Sequence, residues 1–244
     1  MWDHIFIASI LALSSFTFGF AGFGFSLTAV PLLALALPLK EAIAIQFPLM
    51  TALSVYNAWH YGRVTSVKGL WLFFASAFVS LPLGLFALNQ WPEGFMKKGL
   101  AVFIVASLAA GQLKWVKINQ VGLASSRLWE AFMGVLSGWF QGAYSTGGPP
   151  AVIYITVTVN EPLKAKAFLG IYFAVLNVLI TTPAYVAGGL LTIDILIKSL
   201  LYSPVVIVFA AFGMLLFSRV SSQGYRHGVN VLLVLTAVLL WLRS

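Results

Sequence analysis

Eight stretches of 15 residues or more contain no Asp, Glu, Lys or Arg, and their lengths repeat. Ile5 to Leu39 is 35 residues, Ala42 to Gly62 is 21, Gly69 to Pro92 is 24 and Gly99 to Leu113 is 15. Ala131 to Asn160 is 30, Ala167 to Ile193 is 27, Ser199 to Ser218 is 20 and Gly228 to Leu242 is 15. The order long, medium, medium, short occurs twice. Apolar runs of roughly 20 residues predict membrane-spanning helices. The pattern therefore predicts an all-α, polytopic membrane protein with two repeats of four segments, residues 1–117 and 118–244. Pro82 and Pro204 support the repeat, since they stand 122 residues apart, each in the third run of its half.

The two long runs exceed one crossing. A straight helix of 35 residues would be about 52 Å long, against a hydrocarbon core of about 30 Å. Each run carries glycines at matching places: a shift of 123 residues puts Gly19 on Gly142 and Gly24 on Gly147. Each first segment is therefore predicted to be broken or re-entrant at its glycines. Freed backbone at membrane depth is tolerated only where it is buried in protein or lines a wet cavity. Paired broken segments are the sequence pointer to a transporter's binding site.

Composition changes the picture little. The chain is 61% hydrophobic and 8% charged, with a mean hydropathy of +0.98, whereas soluble domains carry roughly 25% charged residues. The net charge of +8 is read as anchoring between apolar runs rather than as a nucleic-acid surface. Cysteine is absent. The N-terminal Met1-Trp2-Asp3-His4 lacks the basic start of a signal peptide. If each long run enters and returns on one side, Lys and Arg divide nine to five across the membrane. The richer side holds Arg63, Lys68, Lys114, Lys117, Arg127, Lys164, Lys166, Arg219 and Arg226. The positive-inside rule makes that side cytoplasmic, puts both termini in the periplasm and inverts one half relative to the other.

Few residues can carry chemistry. The acids are Asp3, Glu41, Glu93, Glu130, Glu161 and Asp194, and all flank apolar runs. There is no mid-span carboxylate relay, no paired acids for an aspartyl protease and no metal spacing among His4, His60 and His227. Ser145 lacks a nucleophile-elbow setting. These features point away from an enzyme and from a metal site. The glycine segments remain. A helix restarting after Gly24, or at Pro149-Pro150 after Gly147-Gly148, presents a half-helix N-terminus, which binds anions without a cation. The candidate substrate-binding residues are Gly22, Phe23, Gly24, Ser26, Thr28, Gln141, Ser145, Thr146, Gly147, Gly148, Pro149 and Asn177. Trp139, Gln46, Asn57 and His60 are candidates for gating or coupling. Small residues also serve tight helix packing, the competing role for these glycines. Valine at Gly147 or Gly148 is expected to abolish transport.

The run Gly19-Phe-Ala-Gly22-Phe-Gly24 with Pro31 beyond, and Gly138-Trp-Phe-Gln-Gly142 leading to Gly147-Gly148-Pro149-Pro150, resembles the TauE/SafE family of sulfite exporters and organosulfur transporters. The resemblance covers nearly the whole chain. It implies secondary transport of a small sulfur-containing oxyanion, sulfite or a short organosulfonate such as sulfoacetate, across the inner membrane. The substrate would sit between the halves, with alternating access. No bound cofactor is expected; coupling to protons or to sodium stays open, as does a homodimer. The partners expected are the small anion and the lipid bilayer, with no nucleic acid. Alternatives are a passive anion channel, a carrier of a non-sulfur anion, or an assembly protein without substrate. Phe23 and Phe25 interrupt the family's usual run of three glycines. The Ser145 to Pro150 cluster is accordingly expected to be the stronger site, and the first cluster the gate.

Overall fold

The structure, a computed structural model, describes residues 2–65, 70–112, 126–159, 161–216 and 222–243. The helices are α1 (Trp2–Ala21), α2 (Phe25–Leu33), α3 (Leu39–Tyr61), α4 (Trp71–Gln90), α5 (Glu93–Gln112), α6 (Arg127–Tyr144), α7 (Gly148–Thr158), α8 (Pro162–Leu176), α9 (Thr182–Ala187), α10 (Ile193–Leu216) and α11 (Ser222–Arg243). A 3₁₀ turn (Gly62–Val64) follows α3, and a π turn (Asn177–Thr181) joins α8 to α9. No strand occurs among the described residues. Among the described residues, four stretches are long and apolar enough to cross a membrane: Trp71–Gln90, Glu93–Gly111, Leu163–Ala187 and Ile193–Leu216. The first long run is divided into α1 and α2, and the second into α6 and α7.

The chain forms two compact units that are not consecutive in sequence. One comprises Met1–Met50, Trp91–Leu108 and Gly189–Ser244; the other comprises Thr51–Gln90 and Ala109–Gly188. Each draws on residues from both sides of the 117/118 boundary, which itself lies outside the described residues.

In the first unit α1 packs along α10, and α2 packs against α1 and α11. The α1–α10 contact is a reciprocal glycine fit. A Cβ on Gly19 would strike the Ala210 carbonyl, and one on Gly213 would strike the Phe16 carbonyl. Small residues let membrane helices approach at backbone distance. α10 shows the reversed amphipathy of a bilayer protein. Its buried residues are Ser199, Tyr202, Val206, Ala210 and Gly213, while Leu200, Leu201, Ile207 and Leu215 are exposed. Water would not tolerate that row of large apolar side chains, whereas lipid does.

In the second unit α4 and α6 form the main contact. Gly134, Gly138 and Gly142 recur every four residues along one face of α6. A Cβ on any of them would meet the backbone of Phe73, Ala77 or Leu81 on α4. Gly84 on α4 is closed in the same way by Trp139 and Ala143. Two flanking acids act as helix caps within their own units. Glu93 Oε1 accepts from the Leu39 N–H at 3.1 Å, and Glu130 Oε1 accepts from the Phe73 N–H at 3.1 Å. A carboxylate at a helix start satisfies an orphan donor and complements the helix dipole.

Candidate functional site

The second unit's turn is built by residues one helical turn apart on α6. α6 ends at Ser145, which adopts the left-handed conformation at φ 56°. The Ser145 N–H donates to the Gln141 carbonyl at 2.9 Å and the Thr146 N–H to the Phe140 carbonyl at 3.3 Å, a C-cap arrangement that satisfies the last carbonyls of the helix. The chain then folds back over α6. Gln141, fully buried, accepts from the Gly147 N–H through Oε1 at 2.9 Å. Its Nε2 donates to Asn177 Oδ1 at 2.8 Å. One turn earlier, Ser137 Oγ donates to the Gly147 carbonyl at 2.6 Å and accepts from the Tyr172 hydroxyl at 2.7 Å. Gly147 is thus held at both backbone atoms by α6, and α6 is joined in turn to α8 and the π turn. A Cβ on Gly147 would strike the Ser137 carbonyl and lie 2.9 Å from Gln141 Cβ.

α7 restarts at Gly148, with Pro149 and Pro150 buried behind it. Proline suits the first turn because its missing N–H would have no helical partner. It also supplies no donor. The open donors at this turn are the Gly148 N–H and Thr146 Oγ1, which is buried and has no partner among the described residues.

The first unit's turn is made by glycine. Gly22 and Gly24 have φ values of 79° and 95°, a region where a Cβ is strained. The Gly22 N–H closes α1 on the Phe18 carbonyl at 2.7 Å, and the Gly24 carbonyl accepts the first bond of α2, from Thr28, at 3.0 Å. Phe23 is half-buried at the turn. Ser26 Oγ donates to Gln46 Oε1 on α3 at 2.8 Å. Gln46 Nε2 and Thr28 Oγ1 are buried without a partner among the described residues.

The structure thus groups Gly22, Phe23, Gly24, Ser26 and Thr28 with Gln46 in one unit. It groups Gln141, Ser145, Thr146, Gly147, Gly148, Pro149 and Asn177 in the other. Three candidates stand apart from these clusters. The Trp139 ring is half-buried and packs edge-on against Phe140 and Tyr144. Asn57 is buried against Gly170 on α8. His60 is exposed and stacks on Tyr56, with Tyr61 edge-on. Ser137 and Tyr172 complete the second cluster without being among the sequence candidates. Ser137 lies four residues before Gln141 and so on the same helix face, a spacing visible in the sequence; nothing local marks Tyr172.

The family described as Sulfite exporter TauE/SafE matches residues 6–240, and the chain belongs to it. No curated protein and no solved structure matches the chain. With its apolar helices, family membership makes this an integral membrane protein of a transporter family.

Proposed function

We propose that this protein is a secondary transporter carrying a small sulfur-containing oxyanion, sulfite or a short organosulfonate such as sulfoacetate, across the inner membrane by alternating access. Membership of a sulfite-exporter family supports the substrate class. One observation carries the mechanism. Each of the two longest apolar runs breaks at a glycine turn and restarts as a short helix with open donors at its start. Such a start carries partial positive charge and unpaired N–H groups. It holds an anion without a lysine, and therefore without an ion pair that would slow release. Gly22 to Thr28 in one unit and Ser145 to Pro149 in the other are the candidate contacts, each cluster taken by itself. Coupling runs through sodium on carbonyl and hydroxyl oxygens or through the substrate's own proton.

Proteoliposomes holding the full chain should accumulate radiolabelled sulfoacetate or sulfite above the external concentration when a proton or sodium gradient is imposed. Equilibration without accumulation would identify a channel instead. Accumulation of phosphate or small carboxylates but of no sulfur anion would identify a different substrate class. Both termini are placed in the periplasm on the positive-inside rule. A reporter active only in the cytoplasm, fused after Ser244, should stay silent; activity there would reverse the topology.

A further inference from the structure

The two broken segments differ in the donors they leave open, each taken within its own unit. α7 begins Gly148-Pro149-Pro150 and offers one N–H in its first turn. α2, nine residues long, begins Phe25-Ser26-Leu27 after an N-cap glycine with no side-chain cap. None of those three N–H groups has a partner among the described residues. Gln46 stands against the same turn. Its Oε1 accepts from Ser26 Oγ, which places the Nε2 of that amide beside the helix start. Gln46 is 0% exposed and its Nε2 is unpartnered. A buried amide donor left open is costly unless something accepts from it. Thr28 Oγ1 is also open, but it lies about 200° around α2 from Ser26 and belongs to a different flank.

All four donors are neutral. No Lys or Arg occurs between Asp3 and Lys40 or between Glu41 and Arg63. The unit's described cations sit elsewhere. Lys97 pairs with Glu93 at 2.9 Å and Lys198 with Glu41 at 3.9 Å. Arg243 donates to the Leu35 carbonyl at 3.4 Å, and Lys98 lies 5.7 Å over the Trp241 ring. Lys40 is exposed, about 9 Å along α3 from Gln46. Charge decides what such a seat takes. The cost of removing an ion from water grows with the square of its charge, so a dianion costs about four times as much as a monoanion of its size. Its attraction to fixed neutral donors grows only in proportion to charge, about twofold.

We infer that the Phe25, Ser26 and Leu27 N–H groups and Gln46 Nε2 form a seat that selects singly charged oxyanions over doubly charged ones. This rests on the anion-transport reading above, and it makes Gln46 a direct ligand contact. Sulfite is then bound as bisulfite, and among organosulfonates the seat prefers a monovalent one over sulfoacetate, whose carboxylate adds a second charge. The proton travels on the substrate, and no carboxylate inside the membrane is needed to carry it.

The test is calorimetric titration of the full chain in lipid nanodiscs with methanesulfonate, sulfate and sulfite, at pH values on either side of neutrality. Methanesulfonate keeps its single charge throughout, and its affinity should not move with pH. Sulfite should bind more tightly as pH falls and the bisulfite fraction rises. Sulfate should bind about a hundredfold more weakly than methanesulfonate, since the desolvation penalty outgrows the attraction. Gln46→Leu should weaken methanesulfonate by about tenfold, the loss of one hydrogen bond to a charged group. Gln46→Met serves if the leucine variant is not monodisperse. Sulfate affinity equal to that of methanesulfonate, or unchanged methanesulfonate affinity in a folded Gln46 variant, overturns the seat while leaving anion transport standing. Binding of none of the three anions overturns the transport reading as well.

Discussion

Gly147→Val should cut anion transport by at least about tenfold while the protein still inserts into the membrane. The reason is space rather than backbone conformation, because Gly147 has an ordinary φ of −66°. A Cβ there would collide with the Ser137 carbonyl and crowd Gln141 Cβ at 2.9 Å. The turn would have to lift off α6, which breaks the bonds from Gly147 N–H to Gln141 and from Ser137 to the Gly147 carbonyl. Overpacking of this kind costs about 1–3 kcal/mol. If the turn moves to relieve it, the transport rate should fall by roughly tenfold to a hundredfold. Insertion is set by the apolar runs, which the substitution leaves intact. The neighbouring glycine is different. A Cβ on Gly148 would only touch Phe173 Cζ at 4.0 Å, so Gly148→Ala should transport within about twofold of the parent, as a substitution within ordinary contact distance does. Flux into proteoliposomes, normalised to reconstituted protein, checks both. Normal flux with Gly147→Val would remove the turn from the mechanism.

That difference between adjacent glycines marks what the sequence could not reveal. The breaks themselves were legible. Glycine at positive φ and proline in a first helical turn are local signals, and they placed the α1–α2 and α6–α7 interruptions within a few residues. The balance of donors was only half legible. Pro149-Pro150 reads as a helix start, but the same two residues remove two N–H groups, so the donor inventory favours α2 over α7. That the Gly147 N–H is already bonded depends on the chain folding back six residues onto Gln141, and no local pattern reports it. Partner choice was hidden for a different reason. The four-residue spacing of Gly134, Gly138 and Gly142 announces a close-packed face, but any apolar helix would suit it equally. That α4 rather than another run fills the face, and that α10 lies on α1, follows from three-dimensional fit among segments of nearly equal hydropathy. The π turn beginning at Asn177, whose side chain meets Gln141, likewise has no local signal in the sequence.

Gln141→Leu separates bracing from binding in the second cluster. The glutamine uses both ends of its amide on protein groups, Gly147 N–H and Asn177 Oδ1. A residue so engaged positions the turn rather than holding the ligand. Its replacement strands a buried backbone donor and a buried side-chain acceptor. Hydrogen bonds between membrane helices are worth about 0.6–1.7 kcal/mol each, so losing two should lower stability by about 1–3 kcal/mol. Unfolding in a detergent titration reads that loss. Asn177→Leu should cost less when added to Gln141→Leu than when made alone, because the pair shares one bond, and the cycle should show a coupling of about 0.5 kcal/mol or more. Methanesulfonate affinity, in contrast, should stay within about threefold of the parent, since two sites without shared partners act nearly additively. Transport should fall with the displaced turn. A Gln141→Leu protein of unchanged stability that had lost most of its affinity would reverse the assignment, making Gln141 a ligand contact and the second hairpin the seat of the anion.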